Sequence, residues 1–375
     1  MRFCHRSKAG EDKVSTLETL AGIKTVAEMT EAFRDEGHCR QILEAMVWPQ
    51  GRLCPACGCR QSTALAGRDA GRRARPGLYQ CSNRDCRFQF TVTTHTPLHA
   101  TKLPLRTWLT GMWLILQSDK GVSSVCLAEA LGVSQPTAWR MGHILRLLVT
   151  REPLLTGTVE IDDFHFGGKP RNDADRPKLG RGRKGQPKTT KTPALALVQR
   201  PASLDDGAPA GEARAVVVAD LSLNETERVL ETPVDPDAHL MSDEWKAFTA
   251  AGTAFRAHDT VCHSRCEYAR GTVHANSAEG FNDRVRRTIA GVFHHISPAH
   301  ADLTFSEIGF RWAQRTVAGR AERRTRKGRS VMRTLWDRIS PALQLPAVFR
   351  HAVGRQARRT KAGGFVIVSA VAVFG

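Results

Sequence analysis

Four cysteines, Cys54, Cys57, Cys81 and Cys86, stand in two pairs, CPAC and CSNRDC, with a spacer of loop-forming residues between them. Thiolates offered in pairs from two tight turns suit a tetrahedral Zn²⁺ with sulfurs at about 2.3 Å. Gly58 fits the turn that closes the first pair, and Cys59 lies near enough to compete for the fourth position. Four protein ligands leave no open coordination site, so the metal would be structural. From Gly51 to Phe90 the chain is poor in apolar residues, and a segment of that kind is held by an ion in place of a hydrophobic core. Cys4, Cys39, Cys126, Cys262 and Cys266 lack such spacing and read as packed or incidental.

A second constellation consists of acids. TVEIDDFHFGGK puts Asp162 at the end of a β-branched strand with Asp163 directly after it, and HLMSDEW puts Asp243 at the end of another. NSAEGFNDRVRR carries Asn276 and Glu279 on one helical face. Neighbouring strand residues face opposite sides, so only one of Asp162 and Asp163 shares a face with a third group. Carboxylates from two strands and a helix offer the oxygen ligands that Mg²⁺ or Mn²⁺ prefers. In phosphoryl transfer such metals activate the attacking oxygen and stabilise the leaving one, with no covalent protein nucleophile. Arg284, Arg286 and Arg287 follow Glu279 on the same helix, placed to face phosphates. His274, His294, His295 and His300 surround the third acid and read as hydrogen-bonding or phosphate-contacting groups.

The charge balance names the partner class. Lys plus Arg number 55 against 37 Asp plus Glu, a net charge of +18, bunched between Lys169 and Lys191 and again between Arg311 and Arg329. That is the footprint of a protein that binds nucleic acid. The opening MRFCHRSKAGEDK lacks the apolar core of a signal peptide, so the thiols are expected to be reduced and the protein cytoplasmic and nucleoid-associated. The tail FVIVSAVAVFG is shorter than the roughly 20 residues of a membrane-spanning helix, and no membrane partner is expected.

These groups need elements to position them. Apolar residues at helical spacing from Thr16 to Trp48 predict two short helices, giving an N-terminal helical segment (1–50) before the ribbon (51–92). Helical periodicity returns from Leu105 to Leu147, an all-helical module (100–150). Within it, Gly132 ends one helix and Ser134 caps the next, the grammar of a helix-turn-helix or of a plain helical hairpin. On the first reading Gln135, Thr137, Arg140 and His143 line the exposed face that reaches base edges in a major groove. After Thr156 short β-rich runs (TVEID, ALALVQ, ARAVVVAD, HLMSD) precede helices at Ala275 to Ala290 and about Leu303 to Arg320. Strands interleaved with helices predict a mixed α/β core (156–320), followed by a basic extension (321–375). The basic, Gly- and Pro-rich stretch from Lys169 to Pro193 reads as an excursion from that core.

In that order, VEIDDFHFGGK, SDEWKAF, HSRCEYARGTVHANSAEGFNDRVRRTIAGVFHHIS and HADLTFSEIGFRW resemble the Merlin-type (ISXO-two-like) bacterial insertion-sequence transposases. The ribbon and the following FQFTVTTHTPL resemble that family's front end, so the likeness runs from about Cys54 to Arg315. It implies a ribonuclease-H-like core of the DDE type acting on the terminal inverted repeats of an insertion sequence and on target DNA. Mg²⁺ (or Mn²⁺) would be held by Asp162, Asp243 and a third residue, either Asn276 or Glu279. Glu279 is favoured because an anion binds a hard cation better than an amide does. Arg286 falls where the family carries a basic residue. His95 stands in place of an expected glycine, and RWAQR in place of an aromatic-Asn-Arg ending. A homodimer or higher multimer is expected, since two element ends must meet. The rival expectation is a catalytically inactive DNA-binding regulator derived from a transposase.

Overall fold

The computed structural model describes residue 20 and residues 22–65, 76–167, 191–324, 328, 330–360 and 365–369. The opening residues 1–19, the basic excursion over 168–190 and the end of the apolar tail, 370–375, lie outside the described residues. The chain divides into two compact units, one of residues 1–149 with 339–375 and one of residues 150–338.

In the first unit, α1 (Val26–Ala32) opens on a reciprocal capping box between Thr25 and Glu28, and α2 (Glu36–Val47) on Asp35, whose carboxylate accepts from the His38 N–H. Three short strands, β1 (Ser62–Ala64), β2 (Tyr79–Cys81) and β3 (Gln89–Phe90), form an antiparallel sheet. Trp48, from the end of α2, packs edge to face against Tyr79 of β2 and Phe90 of β3, whose rings tilt at 42° to each other, and so adds apolar support from outside the ribbon to the two rings within it. Next comes α3 (Leu105–Gln117), buried at Trp108, Leu109, Met112, Trp113 and Leu116. Pro104 cannot cap it, and the carboxylate of Glu36 does so from α2, accepting from the N–H groups of Leu105 (2.7 Å) and Arg106 (3.1 Å). Helix α4 (Ser124–Leu131) is capped by Ser123 and ends on Gly132 at φ 63°, a left-handed turn that glycine adopts without strain. Helix α5 (Gln135–Val149) follows directly.

The second unit is a mixed α/β domain. Its five-stranded sheet is built from β4 (Thr158–Phe166), β5 (Thr192–Gln199), β6 (Ala213–Val217), β7 (His239–Asp243) and β8 (Ala257–Val261). The first strand lies at the centre. It pairs antiparallel with β5, which pairs antiparallel with β6, and on its other side runs parallel to β7, itself parallel to β8. One face packs Val159, Ile161, Leu195, Leu197 and Leu240 under α6 (Leu223–Glu231) and α7 (Lys246–Ala251). A small hairpin, β9 (Ala269–Arg270) with β10 (Val273–His274), leads to α8 (Asn276–Thr288) and α9 (Pro298–Ala313) on the opposite face, over Phe164, Phe166, Ala194, Ala196 and Ala215.

Two expectations are corrected here. The closing helix ends at Ala313, not near Arg320, and β11 (Arg315–Arg324) begins two residues later, paired with β12 (Ser330–Arg338). The cause is tertiary: Val317 donates its N–H to the Ala208 carbonyl and accepts from the Gly207 N–H, so these backbone groups are taken by a neighbouring loop and not by a helix. The expected boundary at 320/321 therefore falls inside a strand. The closing segment, α10 (Pro341–Ala352), β13 (Arg355–Arg359) and β14 (Phe365–Ser369), belongs to the first unit. Among the described residues no helix is long and apolar enough to cross a membrane.

Candidate metal centre and carboxylate site

The two cysteine pairs meet. The sulfurs of Cys54, Cys57, Cys81 and Cys86 all lie within 4.8 Å of one another, with 3.8 Å between Cys54 and Cys86 and 3.6 Å between Cys57 and Cys81. Each pair rides on a backbone turn. Gly58, at φ 72°, donates its N–H to the Cys54 carbonyl, and Arg87, at φ 48°, donates to that of Asn83. Cys59 is excluded, because its sulfur exchanges hydrogen bonds with the backbone of Gln61. The backbone N–H of Cys59 draws the Cys57 thiol down to about 7, which favours the thiolate that a metal requires. Donor type, number and spacing all fit Zn²⁺.

The carboxylates are gathered differently. Strand β4 lies beside β7 with Thr158 opposite His239 and Glu160 opposite Met241. Two residues farther on, the same alternation brings Asp162 and Asp243 to one face of neighbouring strands, about 4.8 Å apart in backbone spacing. Asp162 faces α8, where the Asn282 side chain donates to its Oδ2 at 2.8 Å and to the Asp163 carbonyl at 3.3 Å. Burial, and then the charges of Asp163, Asp243 and Glu279, push the Asp162 carboxyl up to about 7, against the pull of Asn282. Asp163 is also raised by burial, with His165 opposing, Asp243 adding to the rise and Arg286 opposing. A cation placed among these acids would relieve both desolvation and mutual repulsion.

Not every expected residue closes on this centre. Glu279 remains 47% exposed, its Oε1 3.8 Å from His263 Nε2, and Asn276 is exposed at the first position of α8. The three acids do not converge to the 4.8 Å span of the thiols. Arg286 is half exposed and stands 3.7 Å from Asp283. In the helical pair Gln135 and Arg140 are exposed and Thr137 is half-buried. Gln135 donates to the Ser124 hydroxyl at 2.8 Å, and Thr137 shares a hydrogen bond of the same length with Ser134. His143 is corrected: it is buried, 4% exposed, its ring edge-on to Trp139 at 4.3 Å between centroids. From Met141 to Val149 every position of α5 is buried, so this half of the helix has no exposed face.

Two residues absent from the sequence reading prove central. Asn282 is 1% exposed on the apolar face of α8 between Phe281 and Val285, and its Oδ1 is buried without a hydrogen-bond partner. A polar residue on that face was the available signal. Glu160, inward-facing two residues before Asp162, is fully buried and ion-paired to Arg200, with His274 Nδ1 at 3.3 Å. Its Oε2 accepts the first free N–H groups of α8, from Ser277 at 2.7 Å and Ala278 at 3.0 Å. The cationic end of the helix thus rests on an anion from the central strand. Arg200 continues the network to the carbonyls of Thr272 and His274. A glutamate inside an apolar strand was the sign of this arrangement.

Asp243 does end its strand, but Asp162, expected at a strand end, is corrected to mid-strand, since β4 keeps its pairing with β5 through Phe166. A four-thiol ribbon and a mixed α/β domain with acids gathered on adjacent strands, in a chain of net charge +18, define a two-part protein with one structural metal knuckle and one carboxylate centre. Residues 34–89 match the transposase zinc-ribbon domain and residues 154–313 the ISXO2-like transposase domain. Together these segments span more than half of the chain, which belongs to the ISXO2-like (IS1595) transposases. A protein of Halobacterium salinarum described as an uncharacterized protein in transposable element ISH50 is 26% identical over 267 residues, which cover 69% of this chain and 85% of that relative. His95, where the family resemblance leads one to expect glycine, has φ 54°, the left-handed backbone that glycine adopts most readily.

Proposed function

We propose that this transposase binds the terminal inverted repeats of its insertion sequence and cuts and joins DNA strands at the carboxylate centre, in a ribonuclease-H-like domain of the DDE type. The observation that carries the reading is geometric: Asp162 and Asp243 share one face of neighbouring parallel strands, with Asp162 held by the buried Asn282 of α8, in a strongly basic protein; burial and the nearby acids push the Asp162 carboxyl up accordingly. Acids forced together against their own repulsion, beside an unpartnered buried amide oxygen, are a site waiting for a cation. Asp162 and Asp243 would hold Mg²⁺ or Mn²⁺, with Glu279 as the third ligand and Asn276 in its place if the helix turns. Such a cation supplies Lewis acidity and lowers the pKa of an attacking hydroxyl.

The chain's own residues do the rest. Asn282 holds the Asp162 carboxylate at one orientation, Glu160 fixes the helix that carries Glu279, and Arg286 stands ready to meet a phosphate. The sheet, with its first strand central and pairing antiparallel on one side and parallel on the other, supports the ribonuclease-H-like assignment. Helices α4 and α5, joined through Gly132, support a helix-turn-helix that presents Gln135, Thr137 and Arg140 to base edges. Two copies would assemble on DNA to bring the two element ends together.

The test is an assay of labelled DNA carrying the inverted repeats with Mg²⁺. Asp162→Asn and Asp243→Asn should each lower cleavage at least about a thousandfold, several kcal/mol of metal-assisted stabilisation, while affinity stays within about threefold. Wild type that binds but never cuts, even with Mn²⁺, would make the protein a regulator and end the enzymatic reading.

A further inference from the structure

The matched transposase domain stops at residue 313, and directly after it β11 and β12 form a two-stranded ribbon which, among the described residues, is joined by no third strand beyond a single bridge from Thr316 to Pro209 at its root. Its root is fixed. Val317 is 1% exposed, its backbone is bonded to the 207–208 loop, and the Arg315 guanidinium lies over the rings of Trp312 at 4.1 Å and Trp336 at 4.9 Å. A bulge between Val317 and Gly319, with Gly319 at φ 122°, then turns the ribbon away from its support.

Beyond that bulge the character changes. Arg320, Arg323 and Arg324 on one strand and Arg333 on the other are exposed, and Glu322 is the one acid of this outer part among the described residues. Pairing sets Arg323 opposite Val331 and Arg333 opposite Ala321 on one face, and Arg320 and Arg324 opposite Thr334 and Ser330 on the other. Both faces therefore carry cations. None of these four arginines makes an ion pair among the described residues, whereas Arg200, Arg228, Arg270 and Arg311 elsewhere in the same unit do. Glu322 is itself engaged by the Ser330 hydroxyl. Met332 is 55% exposed and Leu335 48%, on a hairpin with no sheet behind it.

Beyond the bulge, a two-stranded ribbon with no strand on either edge among the described residues is marginal in water and an invitation to aggregate. Repulsion among unneutralised arginines makes it worse unless a polyanion lies against it. We infer that the ribbon is a DNA-contacting arm that lies along a groove of duplex DNA, with Arg320, Arg323, Arg324 and Arg333 on the flanking phosphates. The shape agrees: a two-stranded ribbon fits the major groove, about 12 Å wide, and the strand beyond the bulge, Gly319 to Arg324, spans roughly 20 Å at about 3.3 Å per residue, more than half a helical turn of duplex. The contribution expected of these side chains is their positive charge, which lysine shares. This inference rests on the DNA-binding reading above and adds a contact surface outside the helical pair and the carboxylate centre.

The full-length protein is titrated with a fluorescent duplex across a range of salt concentrations, beside the quadruple variants Arg320→Ala/Arg323→Ala/Arg324→Ala/Arg333→Ala and its all-lysine counterpart. Loss of four phosphate contacts should make the slope of log K against log salt shallower by about 3 to 4 and weaken binding at low salt at least about tenfold, with the lysine variant within about threefold of wild type. An alanine variant with the wild-type slope overturns the inference, and so does equal loss in both variants, since charge would then not be the contribution. Sedimentation of the same samples separates the remaining occupant: alanine substitutions that abolish self-association and leave the slope unchanged would make the ribbon a contact between copies and overturn the DNA arm. If wild type itself fails to bind duplex, the proposed function falls, a result distinct from failure of the ribbon alone.

Discussion

The thiol centre and the carboxylate centre are assembled by opposite strategies. All four sulfurs come from residues 54 to 86, on two turns joined by one small sheet, and they lie within 4.8 Å of one another. The acids come from residues 162, 243 and 279, on two strands and a helix, and only a completed sheet with its covering helix brings them near each other. In the first case an ion substitutes for a core, so site and fold form together. In the second a large apolar core covers both faces of the sheet and holds Asp162 buried beside other acids, which pushes its carboxyl up. A binding site can be the reason for a fold or a cost carried by it.

The sharpest way to break this contrast is to remove the zinc. The protein should contain about one zinc per chain, lost in Cys54→Ser and retained in Cys59→Ser. Because structural zinc contributes roughly 10 to 16 kcal/mol of apparent binding energy, chelation should expose the ribbon to proteolysis while the 150–338 unit keeps its own unfolding transition. A single transition lost all at once on chelation would mean that the two centres are not independent.

Glu160 tests the other half. Glu160→Ala strands the buried Arg200 guanidinium and the N-terminal N–H groups of α8, and should lower unfolding free energy by about 3 to 5 kcal/mol in urea titrations, with the zinc content unchanged. Glu160→Gln, whose amide oxygen still accepts, should lose less. Equal losses would show that the charge, not the acceptor, holds the helix.

The smallest effect concerns protons. Asp162 has its folded pKa raised from 3.8 to about 7, so the folded state holds a proton that the unfolded chain gives up earlier. Its favourable contribution is complete below about pH 4 and is lost as pH rises toward 7, about 2 to 4 kcal/mol in metal-free protein. Chemical denaturation between pH 4 and 8 should show this decline, and Asp162→Asn should flatten it. Asn282→Leu removes the donor that favours the charged form and should move the end of the decline upward by about one pH unit. A profile that stays flat in wild type would deny that the acids are crowded at all.

How legible each region was follows from the same contrast. Spacing alone exposes Cys54, Cys57, Cys81 and Cys86, because ligands that share one turn are near neighbours in sequence. Asp243 is legible as an acid ending an apolar strand, whereas Asp162 was read as a strand end and lies mid-strand, because DFHF continues the ladder with β5; the common face of the two depends on the β4–β7 register, which no local pattern states. Asn282 and Glu160 went unread for a related reason: each is a polar residue at an inward position, and its partner lies 120 or 117 residues away. His143 was misplaced because the polar face of α5 was extended through MGHILRLLV, which is buried all round. The start of β11 was misread as the end of a helix and the rest of the hairpin as part of a basic extension, because its strands, RTVAGRAERR and SVMRTLWDR, hold few β-branched residues and carry no strand alternation.

Glu160 and Asp162, one pleat apart, grip the same helix at two places, the first through the N–H groups of Ser277 and Ala278 and the second through Asn282. Two residues of strand advance about 6.7 Å, and four to five residues of helix advance about 6 to 7.5 Å, so the two repeats are commensurate over that interval. The strand therefore acts as a ruler against which α8 is indexed. A slip of the helix by one residue would miss both marks together, so these two grips set the register of α8 against the sheet.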